Sequence, residues 1–429
     1  MRLPRHVAAS SLVSRFFGAI VAAVACGVSL AHATPFVVID AATGSVIAEQ
    51  ESTKRWYPAS VTKLVTVYVA LTAVRQGRVS LDTPIVVSMR AARMAPSKMG
   101  FNPGSEVTLD NALKMLMVKS ANDIAVTIAE GLGGSVEGFA DQMNAAAARL
   151  GMRESHFMNP NGLHHDEHYS SARDMAIVGM ALFRDFPEYA DLFGIGALRL
   201  GEMVIPTHNG LLGRYPGADG MKTGFTCAAG FNVVASATRG GRRVIAVVFG
   251  YPNAKTRTLK AASLLDAGFT NGAGSISITT LPSTPGAPPN MRPQICGAHR
   301  QQIAEDDFAV PVASSPPEGD HAAAFFANHG LTPPANGLAV VQAQTGVRPS
   351  FEPIPVYAGR APGWTGPVLA ARGDAPRPAV VPAITPAPKI AAGKAKPKPT
   401  KARQAGKKPP PPKGKPAPQP PAKPKTAAR

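Results

Sequence analysis

The chain has 429 residues, a formal net charge of +18 and 45% hydrophobic residues, so it is long enough to bury a full core. Thirteen Lys and Arg but no Asp or Glu lie within residues 389–429, so much of the positive excess belongs to one terminal segment. The remainder is only mildly basic, and we expect no nucleic-acid partner. Three cysteines, Cys26, Cys227 and Cys296, are too few for a disulfide scaffold.

Residues 1–33 have the pattern of a secretory signal peptide. Three arginines precede the apolar stretch 16–30, and Ala31-His32-Ala33 supplies the small residues that a signal peptidase recognises. We predict cleavage after residue 33 and export to the periplasm or cell envelope. The alternatives are a membrane anchor, for which about fifteen apolar residues are short, and lipoprotein processing at Cys26, which has a poor residue three positions before it.

Residues 34–272 are predicted to form one folded domain. Strand patterns at 36–40 and 45–48 predict a hairpin, and those at 231–238 and 243–251 predict a second one. Apolar periodicity with capping residues predicts helices over 60–76, 109–118, 121–130, 136–150, 172–183 (with Ser171 as N-cap) and 254–267. Strands gathered around helices, without βαβ alternation, predict an α/β fold of the α+β type, in which helices cover an antiparallel sheet.

The composition changes after residue 272. Pro, Ala, Gly and Ser dominate residues 273–385, which we predict to be mostly disordered, with one short ordered or recognition island at 351–367. Residues 386–429 are rich in Lys and Pro and are predicted to be a disordered basic tail. Two interpretations of this tail stay open: electrostatic contact with anionic wall polymers or a membrane surface, and a solvated linker without a partner.

The segment "PASVTK" carries Ser60 and Lys63 at the start of a predicted helix. Residues three apart lie about one helical turn apart on the same face, so the amine is placed to take the hydroxyl proton. Such a lysine must be neutral, which requires a desolvated or cation-rich pocket. The alternative is a serine N-cap followed by a surface lysine.

Two further motifs add to this pair. Ser120-Ala121-Asn122 falls at a helix junction, where it offers a second hydroxyl for proton relay and an amide for a substrate carbonyl. Taken alone, this motif favours a helix cap. Lys222-Thr223-Gly224 enters a strand, where a cation and a hydroxyl can bind a carboxylate and the glycine permits close backbone approach. The three motifs in this order are much more specific than any one of them.

The segments "PASVTKLVT", "SAND" and "DGMKTGFT" resemble the S-x-x-K, S-x-N and K-T-G motifs of the penicillin-binding-protein and serine β-lactamase superfamily. The wider text, including "LMVKSANDIAVTIAE" and "NPNGLHHDEHYSSARDMA", is similar to the low-molecular-mass D-alanyl-D-alanine carboxypeptidases of the S11 peptidase family. This resemblance covers residues 36–270. It implies a serine β-lactamase/transpeptidase-like fold and a mechanism without a metal or cofactor.

The resemblance also implies roles for individual residues. Ser60 would be the acylated nucleophile, Lys63 its base, and Ser120 the group that passes a proton to the leaving D-alanine. The substrate-binding residues implied by the same comparison are Asn122 for the penultimate amide, Lys222, Thr223 and Gly224 for the carboxylate end, and the backbone N–H of Phe225 with that of Ser60 for the oxyanion.

The implied activity is removal of the terminal D-alanine from peptidoglycan stem peptides, with β-lactams as acylating inhibitors. A D,D-endopeptidase cleaves the same kind of bond and stays open. A class A β-lactamase fits less well, because Ser120-Ala121-Asn122 departs from S-D-N and no E-x-x-L-N match is present. A non-catalytic wall-binding protein is the alternative from a different class. The β-rich domain and amphipathic helix that several S11 enzymes carry are not visible after residue 275.

Two remaining features of the sequence are a histidine-rich segment and a cysteine within the folded domain. His164 and His168 would share a face on a helix, as metal ligands do, but the flanking Asn-Pro-Asn-Gly and Tyr-Ser-Ser sequences predict a loop, and we expect no metal site. Cys227 is interpreted as a packed or disulfide-linked residue, and its pairing with Cys296 stays open.

Overall fold

The computed structural model describes residues 34–272, 274–297 and 351–372. The predicted signal peptide and the predicted basic tail lie outside the described residues, and so do residues 298–350. None of the described helices is long and apolar enough to cross a membrane.

A five-stranded antiparallel sheet forms the centre of the domain. Its strands are β1 (Phe36–Asp40), β2 (Val46–Gln50), β7 (Ala218–Thr226), β8 (Gly230–Arg239) and β9 (Arg242–Tyr251). The strand order is β2-β1-β9-β8-β7. Both predicted hairpins are confirmed, and β1 pairs with β9, which joins the two ends of the domain in one sheet. β7 is an edge strand of this sheet.

Helices cover both faces of this sheet, as predicted. The long helices are α1 (Lys63–Arg75), α3 (Leu109–Val118), α4 (Asn122–Gly133), α5 (Val136–Leu150), α6 (Ala172–Asp185) and α7 (Ala254–Thr270), and α2 (Met89–Ala92) is a single turn. Val37 and Ile39 face the layer that contains α1 and α3–α6, while Phe36 and Val38 pack against α7. Alternate residues of β1 thus bury opposite faces, the two-residue period of a strand.

Two small sheets lie at the periphery. β3 (Pro84–Val86) pairs with β4 (Glu106–Thr108), and β5 (Ala197–Leu200) pairs with β6 (Met203–Pro206), both antiparallel. A short strand, β10 (Ile354–Pro355), adds to β5 in parallel.

Residues 274–297 lie within the region predicted to be mostly disordered, and the structure shows them packed against the domain. Ile278 and Ile295 are buried, and the short helix α8 (Arg292–Cys296) ends at a disulfide between Cys296 and Cys227, with 5.6 Å between their Cα atoms. A few buried apolar residues and one disulfide hold this segment in place. A prediction from its overall proline-rich composition does not detect such single contacts.

Residues 351–372, which include the expected island, lie along the helical layer, and we call them the C-terminal strap. Val356 is buried, the Gly359 N–H donates to the Glu106 carbonyl (2.6 Å), and the Leu369 N–H donates to the Pro84 carbonyl (2.9 Å). Arg360 forms a salt bridge with the Glu106 carboxylate. The strap therefore extends the two peripheral sheets through backbone hydrogen bonds.

Candidate active site

Ser60 lies in a 3₁₀ turn, Ala59–Thr62, directly before α1; we call this segment the Ser60 turn. Lys63 is the first residue of α1. Its Nζ lies 2.9 Å from Ser60 Oγ. The structure thus brings the two predicted residues within hydrogen-bonding distance, the contact that proton transfer requires.

The Lys63 amine makes two other hydrogen bonds. It donates to Asn122 Oδ1 (2.8 Å) and to the backbone carbonyl of Asn161 (2.7 Å). Both oxygens can only accept, so together they use two N–H groups. A neutral amine has two N–H groups and one lone pair, and the lone pair is then left for the Ser60 hydroxyl. An ammonium would donate to all three oxygens, so these contacts fit either protonation state and permit the neutral one.

The environment of Lys63 favours the same form. Its side chain is fully buried. Burial lowers the pKa of the ammonium well below its usual value, the positive charge of Lys222 lowers it further, and Asp123 opposes the shift. A desolvated lysine beside a second cation loses its proton more easily, which was the requirement inferred from the sequence.

A buried asparagine of β8 attaches the Ser60 turn to the sheet. Asn232 Nδ2 donates to the backbone carbonyls of Tyr57 (2.9 Å) and Pro58 (3.0 Å). Its Oδ1 accepts from the Gly250 N–H at 2.9 Å. The chain that leads into Ser60 is therefore held by a side chain whose own polar groups are all engaged.

Ser120 and Asn122 lie at the junction of α3 and α4. Ser120 has a φ of +60°, a left-handed conformation that typically costs a non-glycine residue about 1–2 kcal/mol. Asn122 Nδ2 donates to the backbone carbonyls of Ala95 (2.9 Å) and Pro96 (3.1 Å), while its Oδ1 accepts from Lys63.

The Lys222-Thr223-Gly224 motif lies on β7. A Cβ atom on Gly224 would lie 2.9 Å from the Ser60 nitrogen and 3.0 Å from the Pro58 oxygen, closer than side chains normally approach. The glycine therefore lets the strand lie against the Ser60 turn itself. Phe225 follows, with its ring 4.2 Å from that of Phe231.

Lys222 is buried beside a second cation, Arg257 of α7. Burial and the positive charge of Arg257 lower the pKa of Lys222 to about 7, and burial lowers the pKa of Arg257 to about 10. Lys222 Nζ donates to the Thr223 carbonyl (3.1 Å). Arg257 Nη1 donates to the Asn232 carbonyl (3.4 Å) and Nη2 to Thr258 Oγ1 (3.1 Å), while its Nε has no hydrogen-bond partner among the described residues. Within the described part of the chain, neither cation belongs to a salt bridge. We call these two residues the cation pair.

Sequence reasoning missed Arg257 and the Asn161 carbonyl. A backbone carbonyl carries no sequence signal. Arg257 did have one, since it lies on the apolar face of α7 with Ala254, Ala261 and Leu264, all buried. An arginine on a buried helix face is unusual and points to a specific partner or function.

The His164–His168 segment is a loop, as predicted. Among the residues in 34–272, 274–297 and 351–372, no cluster of three or more His, Cys, Asp or Glu could hold a metal ion. Cys227, interpreted from the sequence as packed or disulfide-linked, forms a disulfide with Cys296.

The fold and the serine–lysine site place the chain in the serine β-lactamase/transpeptidase-like class. Penicillin-binding protein 5 from Haemophilus influenzae aligns with a TM-score of 0.53 and 35% identity, covering 55% of this chain and 70% of that one. Penicillin-binding protein D2 from Listeria monocytogenes, in its ampicillin-bound form, aligns with a TM-score of 0.51 and 28% identity, covering 55% and 96%.

A family model described as D-alanyl-D-alanine carboxypeptidase, peptidase S11, matches residues 23–253. D-alanyl-D-alanine carboxypeptidase DacF of Bacillus subtilis is 37% identical over 246 residues, or 56% of this chain and 63% of that protein. DacB2 of Mycobacterium tuberculosis is 34% identical over 55% of this chain and 82% of its own length. The chain belongs to the S11 peptidase family. Its match spans 62–63% of the length of several curated relatives.

Proposed function

We propose that the protein is a serine-type D-Ala-D-Ala carboxypeptidase that removes the terminal D-alanine from peptidoglycan stem peptides and is acylated by β-lactams. The observation that carries this proposal is the 2.9 Å contact between Ser60 Oγ and the buried amine of Lys63. Family membership supports the substrate class, since the relatives are named for this activity.

In the proposed acylation, Lys63 Nζ takes the Ser60 hydroxyl proton as Oγ attacks the carbonyl carbon of the penultimate D-alanine. The backbone N–H groups of Ser60 and Phe225 would stabilise the oxyanion. The C–N bond then breaks, and the nitrogen of the leaving D-alanine receives a proton, with Ser120 as the relay. Water next cleaves the ester, so that Ser60 is regenerated and the shortened peptide is released.

The cation pair supports a substrate that ends in a carboxylate. Lys222 and Arg257 are buried without an acidic partner among the described side chains, and a carboxylate bound there, with the Thr223 hydroxyl, would supply the missing charge. This arrangement favours cleavage at a chain end. Cleavage of cross-links remains the second candidate, because both reactions break the same kind of bond.

The setting of the reaction is part of the proposal. Residues 1–33 would direct export, and the enzyme would then act on the wall in the periplasm or cell envelope, where it limits the stem peptides available for cross-linking. Residues 386–429 would contact anionic wall or membrane surfaces through their Lys residues. Loss of wall retention after deletion of 386–429 supports that contact, and unchanged retention contradicts it.

The direct test is mass spectrometry of the mature protein after incubation with benzylpenicillin. We expect one penicilloyl adduct, absent in Ser60→Ala and retained in the matched control Ser283→Ala, whose side chain is exposed in the 274–297 segment. Release of D-alanine from a D-Ala-D-Ala peptide should follow the same pattern. No adduct with intact penicillin would support the non-catalytic alternative, and rapid penicillin destruction would support a β-lactamase.

A further inference from the structure

His168 is buried behind the Ser60 turn rather than exposed with the rest of its histidine-rich segment. Its Nε2 lies 2.9 Å from Thr62 Oγ1, and the Met158 N–H donates to its Nδ1 at 3.0 Å. The ring packs edge-on against Phe157, with 5.6 Å between centroids. Its side chain is therefore held on three sides.

These contacts define the form of the imidazole. The Met158 N–H can only donate, so Nδ1 carries a lone pair and the proton lies on Nε2, which donates to Thr62 Oγ1. Burial lowers the pKa of His168 to about 3, and the neighbouring histidines and Lys63 add to this shift. His168 is thus a neutral, oriented hydrogen-bond donor.

The His168–Thr62 bond is one of three hydrogen bonds that join residues 158–168, which we call the 158–168 loop, to the segment that carries Ser60. Lys63 Nζ donates to the Asn161 carbonyl (2.7 Å), and Thr66 Oγ1 donates to the Pro160 carbonyl (2.7 Å). The His168–Thr62 bond attaches the far end of the loop. The residue to which His168 is bonded, Thr62, lies between Ser60 and Lys63 in the sequence.

The part of the loop on either side of Asn161 is held by separate contacts. Gly162 has a φ of +81° and lies against the Ala59 carbonyl with no room for a Cβ atom. The Asn159 side chain accepts from the Gly162 N–H at 2.8 Å. Residues 159–162 therefore place the Asn161 carbonyl at Lys63, at the point where the loop meets the Ser60 turn.

We propose that His168 is a positioning residue: by donating to Thr62 it holds the 158–168 loop against the Ser60 turn, so that the Asn161 carbonyl orients the Lys63 amine toward Ser60. This inference rests on the proposed acylation of Ser60. A misplacement of about 1 Å between reacting groups can cost about 100-fold in rate, so a residue that touches no substrate can still control the reaction.

The test measures benzylpenicillin acylation in the full chain, separating the dissociation constant of the non-covalent complex from the acylation rate constant. We expect His168→Leu and Thr62→Val each to lower the rate constant by roughly 10- to 100-fold with little change in the dissociation constant. His168→Gln should recover most of the rate, because its amide can both donate and accept. His165→Leu, an exposed histidine of the same loop, is the matched control.

A double variant, Thr62→Val/His168→Leu, should acylate no more slowly than the slower single variant, because both substitutions remove the same hydrogen bond between His168 and Thr62. Wild-type acylation rates in His168→Leu, or equal losses in His168→Gln and His168→Leu, would overturn the inference. If His168→Leu does not fold, Thr62→Val and His168→Gln still decide the question. Absence of an adduct in the wild type would instead contradict the proposed function.

Discussion

The two lysines of the site are both buried, but their surroundings differ. Lys63 has three hydrogen-bond partners, all within the protein, and one of them is the Ser60 hydroxyl. Lys222 has the Thr223 carbonyl and a like charge, Arg257, as neighbours. The first environment is complete and suits a neutral base, whereas the second lacks negative charge and suits an anionic ligand. The same residue type therefore has two functions, set by its neighbours.

The largest effect should come from replacing Lys63. Lys63→Arg introduces a permanent cation that cannot act as a neutral base, and Lys63→Met removes the amine. Because general-base catalysis contributes roughly 10²- to 10⁴-fold, we expect both variants to lose benzylpenicillin acylation by that order. Lys54→Met, at an exposed i,i+3 ion pair, is the control. Near-wild-type acylation in Lys63→Arg would contradict the assignment of Lys63 as the base.

A smaller effect is expected at the cation pair. A hydrogen bond to a charged group contributes about 1.5–3 kcal/mol, so Arg257→Met should weaken binding of a D-Ala-D-Ala peptide by roughly 10- to 100-fold. The same peptide with its C-terminal carboxylate amidated should lose little from the substitution. Steady-state kinetics on both peptides measures the difference. Equal losses on both would mean that Arg257 acts on the fold rather than on the carboxylate.

The two lysines should also be separable by pH. The neutral fraction of Lys63 grows as pH rises, so acylation should accelerate with pH. The pKa of Lys222 is about 7, so free enzyme loses that charge above pH 7, and carboxylate binding should then weaken by up to about tenfold per pH unit. For the peptide with a free C-terminal carboxylate, we expect a plot of kcat/KM against pH to be bell-shaped. For the amidated peptide, the decrease of kcat/KM at high pH should be absent. Identical pH profiles for the two peptides would contradict the role assigned to Lys222 in binding the carboxylate.

The smallest effect on chemistry should come from the disulfide at the end of β7. Cys227 and Cys296 are 69 residues apart, and a loop of that size can stabilise a fold by up to about 4 kcal/mol. Cys227→Ser/Cys296→Ser should therefore lower Tm while acylation changes by less than about threefold. Thermal unfolding with and without reductant checks the first effect. A large loss of acylation at temperatures where the variant is folded would show that the 274–297 segment also orders Phe225.

Sequence patterns predicted the regular elements well where capping residues mark their ends. α3 and α5 have the predicted limits, and Thr108 and Ser135 cap them through their side chains. Ser171 caps α6 as predicted. The segment 274–297 was missed because its anchors are single apolar residues without a period. Local signals extend over a few residues, and this segment is held by contacts distant in sequence.

The sequence by itself determined the fold class, the three motifs and the pairing of Ser60 with Lys63, since these depend on helical spacing and on residue chemistry. Only the tertiary structure decided which polar groups surround each lysine. The Asn161 carbonyl, the orientation of Asn122 and the position of Arg257 come from chain segments far apart in sequence. Charge state in a protein interior depends on desolvation and on neighbouring charges, and both exist only after the chain has folded.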